Sequence, residues 1–529
     1  MLANHLLTLT IFLPLAFAIL VLLIPKEKTR AVKMMGVIGS LATFAVSMIL
    51  FLLFDPARSG FQLLQQAAWI PSFNITYFVG IDGLSLLLIA LTTFLTPLAL
   101  IGTWNSIQHR LKEYTAMVLL LEVGMVGVFA ALDLVLFYVF WEAMLIPMYF
   151  IIGIWGGQDR VYAAVKFFLY TLFGSLLMLV AILTLGYFAS TQPGGRFTTN
   201  LLELYQVARG LPVHPQIWMF LAFALSFAIK VPVFPLHTWL PDAHVQAPTV
   251  GSVILAGVLL KMGTYGFVRF CLPLFPDASL QAVPYISVLA VIGIVYGALV
   301  AMVQTDIKKL VAYSSVSHLG FVMLGIFSMT EEGMQGAIIQ MVNHGLSTGA
   351  LFLLVGMLYD RTHTREIRDY GGVAKLMPVY AAFLMIMSLS SIGLPGLNGF
   401  VGEFLILLGA FTSSVLESRL YAAFAGLGVI FSAVYLLWMY QRVMLGPVRD
   451  GELYGGHRLL DLTKREIVAL VPIVVMIVWI GVYPKTFLSQ SAKVSKRTVE
   501  YMESVRRAAP AQLTERPAGG TVAPELARP

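Results

Sequence analysis

Charge is what this 529-residue chain has least of. Its 34 Lys and Arg and 27 Asp and Glu amount to 12% of the residues, and nearly all of them sit in short connectors between long apolar runs. Well inside those runs lie only Glu122, Glu142, Lys166, Lys230, Lys261 and Glu403. Cysteine is almost as scarce. Cys271 stands alone, which excludes a disulfide framework and any Cys-ligated iron–sulfur cluster within this chain. No G-x-G-x-x-G follows a strand-like segment and no G-x-x-x-x-G-K-[ST] is present, nor is there room for a large soluble domain. Nucleotide or flavin chemistry on which the protein depends therefore belongs to another chain, and no cofactor is expected in this one.

What is present is apolar. Hydrophobic residues make up 59% of the chain and the mean hydropathy is +0.85, far from any soluble globular domain. A hydrocarbon core of about 30 Å takes about 20 apolar residues per helix, and on that rule the chain reads as an all-α polytopic membrane protein of about 14 spans. The first apolar run carries a cleavage-like Ala16-Phe17-Ala18, but no Lys or Arg precedes it and it continues to Ile24 before Lys26, so it is expected to remain as a helix. Lys and Arg number about 18 in one set of alternating loops and about 5 in the other, the C-terminal tail apart, which predicts both termini on the outer side of the membrane. The net charge of +7 is then a product of the basic inner loops and calls for no nucleic acid. The last stretch, 491–529, rich in Ala and Pro with mixed charge, is expected to be disordered.

Two spans carry backbone breaks. Lys230-Val231-Pro232-Val233-Phe234-Pro235 removes two amide donors in the seventh, and Gly393-Leu394-Pro395-Gly396-Leu397-Asn398-Gly399 interrupts the twelfth just before Glu403. Backbone groups freed at membrane depth find partners only in protein or trapped water, so both breaks should line a polar interior. Each is the fourth helix of a five-helix block. Organisation is accordingly read as helices 1–3 over 1–113, a first repeat (spans 4–8) over 114–272, a second (spans 9–13) over 284–445, and a last helix over 446–490. With five helices per block, the two copies are expected to be inverted.

A charge at bilayer depth costs at least roughly 2.5–3.5 kcal/mol on insertion scales, so buried carboxylates and amines read as functional by default. Glu142 sits mid-span without a neighbouring charge, Lys230 at a helix break, and Lys261 well into the eighth span. Burial disfavours the charged form of either group and an opposite charge restores it, so a Glu–Lys couple in apolar surroundings is a proton switch; the competing role is an ion pair that fixes helix packing, for which bare buried pairs are poor candidates. Lys166 is placed either in the polar interior or as a snorkelling anchor near Arg160, and Glu122 either in that interior or as a neutral core carboxyl. His237, His244, His318 and His344 are relay candidates, the last two beside Ser314, Ser315, Ser317, Ser347 and Thr348. His237 and His244 mimic a metal pair, but Pro241 is expected to end the helix between them, and no metal site is read here.

These residues also carry a resemblance. Lys230-Val231-Pro232 through His237-Thr238-Trp239-Leu240-Pro241-Asp242-Ala243-His244, then Ala247-Pro248 and Lys261-Met262-Gly263, are similar to the signature of the antiporter-like membrane subunits of respiratory complex I and of multisubunit cation/proton antiporters. Gly80-Ile81-Asp82-Gly83-Leu84-Ser85 and Asp306-Ile307-Lys308-Lys309-Leu310 resemble further motifs of that family. Within it, L-type and N-type chains carry a lysine in the twelfth helix and M-type chains a glutamate, as Glu403 is here; L-type chains also carry a long lateral helix and extra spans, which are not expected with about 14 spans. The resemblance implies two half-channels joined by a hydrated axis, with Glu142 paired to Lys230, Lys261 as central relay, His318 and His344 continuing it and Glu403 at the exit. It implies L-type and N-type partner chains in a bacterial inner membrane, surrounding lipid, protons as the moved ion, and FMN and iron–sulfur clusters on other subunits of an NADH:quinone oxidoreductase. The alternative is a subunit of a multisubunit Na⁺/H⁺ antiporter.

Overall fold

The computed structural model describes residues 5–448 and 459–508. Thirteen helices in it are long and apolar enough to cross a membrane: Leu6–Leu23, Thr29–Leu53, Gly83–Gly102, Leu111–Ala130, Leu134–Trp155, Arg160–Thr191, Val213–Lys230, Thr249–Leu274, Pro276–Met302, Ile307–Phe327, Glu331–Thr362, Leu420–Met444 and Lys464–Val482. The remaining crossing consists of two shorter apolar helices, Pro378–Ile392 and Asn398–Thr412. Numbered along the chain, this pair is span 12 and the count agrees with the sequence. Both expected breaks are present, since span 7 stops at Lys230 and resumes as Trp239–Gln246.

Burial divides the spans by role. Spans 8 and 11 are buried throughout their most apolar stretch and span 10 nearly so, whereas spans 1, 2, 13 and 14 are buried over a third of theirs. The latter turn most of their side chains outward, as lipid-facing helices do. Spans 8, 10 and 11 also hold Lys261, His318 and His344, so the charge-bearing helices form the centre of the bundle.

Span 8 is not a regular α-helix. Two π-helical turns, Leu255–Leu259 and Phe267–Cys271, bracket the α-helical Leu260–Gly266 that carries Lys261. Each widened turn holds one residue more than the α-helical ladder accommodates, leaving carbonyls to be satisfied from outside it. No glycine or proline pattern announced this.

On the face shared by the starts of spans 3 and 7, β1 (Gln62–Ile70) and β2 (Ile75–Ile81) pair antiparallel, with Asn74 in the left-handed region at the turn. Asp82 then caps span 3 by accepting from the Ser85 amide at 3.1 Å. Gly83 lies against the backbone of the C-terminal helix: a Cβ there would fall 1.7 Å from the Gln490 carbonyl oxygen, which excludes any other residue.

That C-terminal helix corrects the reading of the tail. Lys485–Ala508 is helical, with Phe487, Ser491, Val494, Ser495, Val499 and Met502 buried along one face. The spacing is that of an amphipathic helix lying on the protein, and basic residues on its other face disguised it as a solvated tail. The remaining tail residues, 509–529, lie outside the described residues.

Candidate functional site: a buried file of titratable groups

At the middle of the bundle Lys261 is fully buried. Its amine donates to the Ala256 carbonyl within the first π turn and lies 2.6 Å from His344 Nδ1 on span 11. The irregular turn thus supplies the acceptor that a regular helix would have used internally. The His344 ring stands 5.9 Å, centre to centre, from that of His318 on span 10. His318 continues the file: Nδ1 is 3.1 Å from Glu403 Oε1, and Nε2 lies 3.2 Å from Ser391 Oγ and 3.5 Å from the Tyr435 hydroxyl. Gln340 donates to the same Glu403 oxygen at 3.3 Å. Four of the six main candidates, Lys261, His344, His318 and Glu403, are therefore brought together across spans 8, 10, 11 and 12.

The span 12 break explains how Glu403 reaches the file. Gly393 ends the first half in the left-handed conformation at φ +81°, open to glycine without strain. Asn343 on span 11 donates 2.7 Å to the Asn398 carbonyl, and Ser390 donates to the Asn398 side chain at 2.5 Å. The interrupted backbone is thereby tied to span 11 by polar side chains, as backbone at membrane depth requires.

Glu142 and Lys230 are arranged differently. No ion pair within 4.0 Å forms between them among the described residues. Lys230 is fully buried, its amine has no hydrogen-bond partner, and it lies 5.4 Å from the ring centres of both Trp141 and Phe167. Contacts of that kind are worth about 0.5–2 kcal/mol, short of what desolvating an ammonium costs. Glu142 Oε1 also lacks a partner. The direct pairing implied by the resemblance is thus open in this structure.

The accessory candidates separate. Lys166 is bound to Asp242 at 2.7 Å, with side-chain exposures of 20% and 37%, so it is neither a free snorkelling anchor nor part of the file. His237 occupies the turn between the halves of span 7, stacked on Phe234 and edge-on to Tyr296. His244 stacks face to face on Phe352 at 4.5 Å, with neither ring nitrogen partnered. Pro241 does not end a helix here: it lies in the first turn of Trp239–Gln246, where a missing amide costs nothing. Among the described residues no group of three or more His, Cys, Asp or Glu could hold a metal ion. Glu122 is fully buried with both oxygens unpartnered, and no hydrogen bond joins it to the file.

Sequence reasoning missed several members. Gln340 and Asn343 fall on the same face of span 11 as the expected His344, at spacings of three and four from Gln340, a polar stripe visible in the sequence. Apart from the file, Asp82 and Arg269 form a buried ion pair at 2.6 Å, extended by Ser85 and Tyr265. Each lies near the end of an apolar run, where a charge looks like an ordinary boundary.

A family model described as NADH:quinone oxidoreductase/Mrp antiporter, TM, matches residues 131–430, a stretch holding Glu142, Lys230, Lys261, His318, His344 and Glu403. The chain is 47% identical over 493 residues to NADH-quinone oxidoreductase subunit M of Rhodobacter capsulatus, covering 91% of this chain and 94% of that one. It is 46% identical over 479 residues to NADH-ubiquinone oxidoreductase chain 4 of Arabidopsis thaliana, covering 90% and 94%. In structure it is similar to a chain of respiratory complex I from Thermus thermophilus, with a TM-score of 0.84 and 35% identity over 94% of this chain and 99% of the other. On identities of 47% and 46% over nine tenths of its length, with a family model matching more than half of it, the chain belongs to the subunit M (chain 4) family of NADH:quinone oxidoreductases.

Proposed function

We propose that the chain moves protons across a bacterial inner membrane as one antiporter-like subunit of an NADH:quinone oxidoreductase, while electrons pass through FMN and iron–sulfur clusters on other subunits. The observation that carries this reading is the buried file Lys261, His344, His318 and Glu403, whose contacts of 2.6 and 3.1 Å are joined by two imidazole rings 5.9 Å apart. Imidazole accepts and releases protons near neutrality and through two nitrogens, which suits it to hand a proton from an amine to a carboxylate. Glu142 and Lys230 form the other end, an acid and an amine whose approach and withdrawal would set whether Lys230 holds its proton.

Spans 4–8 and 9–13 are read as inverted repeats, each contributing a half-channel at its interrupted helix. The L-type and N-type chains are the expected neighbours, with lipid around them and the termini on the outer side. His237, His244 and Glu122 are assigned to access routes and not to the central file. Membranes carrying the intact complex provide the test: NADH addition should acidify inverted vesicles, and Lys261→Ala should abolish acidification while the complex retains its flavin and iron–sulfur partners. Sodium movement without quinone reduction would instead support the antiporter reading.

A further inference from the structure

On the face that carries the hairpin and the C-terminal helix, a cleft of about 480 Å³ opens between the segment after span 6, the end of span 8 and that helix. Its walls combine apolar side chains, among them Phe61, Leu64 and Val268, with Arg209, Arg269 and Arg497 and the hydroxyls of Tyr205, Thr498 and Tyr501, and no carboxylate lines it. Arg269 is buried and balanced by Asp82. Burial alone would raise the Asp82 carboxyl, but Arg269 and the Ser85 amide hold it below the usual carboxylate range, so this pair stays charged. Arg209 and Arg497 have no hydrogen bond or ion pair among the described residues.

The cations are also crowded. The guanidinium groups of Arg269 and Arg497 lie 4.7 Å and 5.8 Å from the centre of the same Phe61 ring. A contiguous recess beside Arg497 adds Arg58 and Lys493. Two ties hold the walls in place, Tyr205 donating to the Arg269 carbonyl at 2.8 Å and Tyr501 to that of Pro273 at 3.5 Å. Arg209 and Arg497 are exposed to solvent, and Asp277 lines a recess next to Arg209, but planar guanidinium forks gathered at one cleft match tetrahedral oxyanions in particular.

We propose that this cleft is a binding site for a phosphate-bearing anion, supplied by an acidic phospholipid headgroup or by inorganic phosphate. Arg209 and Arg497 provide the charge, and Thr498 lines the cleft with them. The apolar wall would accommodate the first carbons of a lipid's acyl chains. The site is separate from the proton file, so its loss need not stop turnover.

The test uses the whole complex, purified and reconstituted in phosphatidylcholine vesicles containing a small fraction of photoreactive phosphatidylglycerol. Cross-linked peptides are located by mass spectrometry, and retention of radiolabelled inorganic phosphate is measured in parallel. Wild type should be labelled within 200–212 and 490–502, and Arg209→Gln with Arg497→Gln should lower labelling by about tenfold or more, as expected for losing two charge-assisted contacts. Arg209→Lys with Arg497→Lys, which keeps the charge, should retain much of it, and assembly of both variants is checked by subunit content. Labelling that survives excess inorganic phosphate identifies the lipid as the source. Arginine-dependent retention of phosphate with weak lipid labelling identifies the free ion. Equal lipid labelling of wild type and Gln variant, together with no arginine-dependent phosphate retention, overturns the proposal.

Discussion

At the span 7 break Lys230 stands without a hydrogen bond and Glu142 does not reach it, whereas at the span 12 break Glu403 is held by His318 and Gln340. Both breaks interrupt a span, but only the second is lined by amides and hydroxyls of spans 11 and 12, with Gln340 on Glu403, Asn343 and Ser390 on Asn398, and Ser391 on His318. The first surrounds its amine with aromatic rings. A charged Lys230 thus has no hydrogen-bonded partner, while one oxygen of Glu403 lies against both His318 and Gln340. On the proposed function, the first end would act as a switch and the second as a reservoir.

The largest effect is expected from removing the switch. Lys230→Ala leaves no other amine at the break, and NADH-driven proton uptake in vesicles should fall by about 10²-fold, within the range for lost acid–base groups, with the complex still assembled. Near-normal uptake would reduce Lys230 to a packing residue. Next comes Glu403→Lys, which asks whether the reservoir needs a carboxylate. A second cation about 4 Å from a protonated His318 would repel it by about 4 kcal/mol at an effective dielectric of 20, so coupled activity should drop by about tenfold or more, whereas retained activity across a pH series would show that any protonatable group suffices.

Glu142→Gln should be milder. Because the two groups are not in contact, their coupling is on the order of 1 kcal/mol or more, and a loss of about fivefold in proton uptake is expected with normal subunit content. Failure of assembly, with normal pumping by whatever survives, would make the pair structural. The smallest effect belongs to Lys166→Ala. A partly exposed pair such as Lys166–Asp242 contributes about 0–1 kcal/mol, so quinone reduction should change by no more than a few-fold, and a collapse would place that pair on the proton route.

The comparison also shows what could be read without coordinates. The breaks were legible because Pro and Gly write their backbone consequences locally, and the lone interior charges because their cost inside a membrane is severe. The connection of Lys261 to His344 came only from the resemblance and not from the pattern of residues, since groups 83 positions apart meet through the packing of spans 8 and 11. The π turns flanking Lys261 have no composition of their own. Asp82 and Arg269 were hidden by position: each lies where a helix ordinarily surfaces, and it takes the hairpin and the C-terminal helix to cover them. The amphipathic spacing of Lys485–Ala508 was in the sequence throughout, outweighed by its basic residues.

Span 8 has one property with mechanical consequences. It is buried along its whole apolar length, and a densely packed interior gives a helix no room to slide or tilt as a rod. A π turn, however, is one residue of slack already threaded into the ladder, and span 8 stores it on both sides of Lys261. Shifting such slack by a residue is a crankshaft motion that turns a short segment about its own axis while the ends stay fixed. Helix 8 therefore resembles a fixed axle with a sprung joint at its middle, and reorientation of the central amine need disturb neither membrane surface.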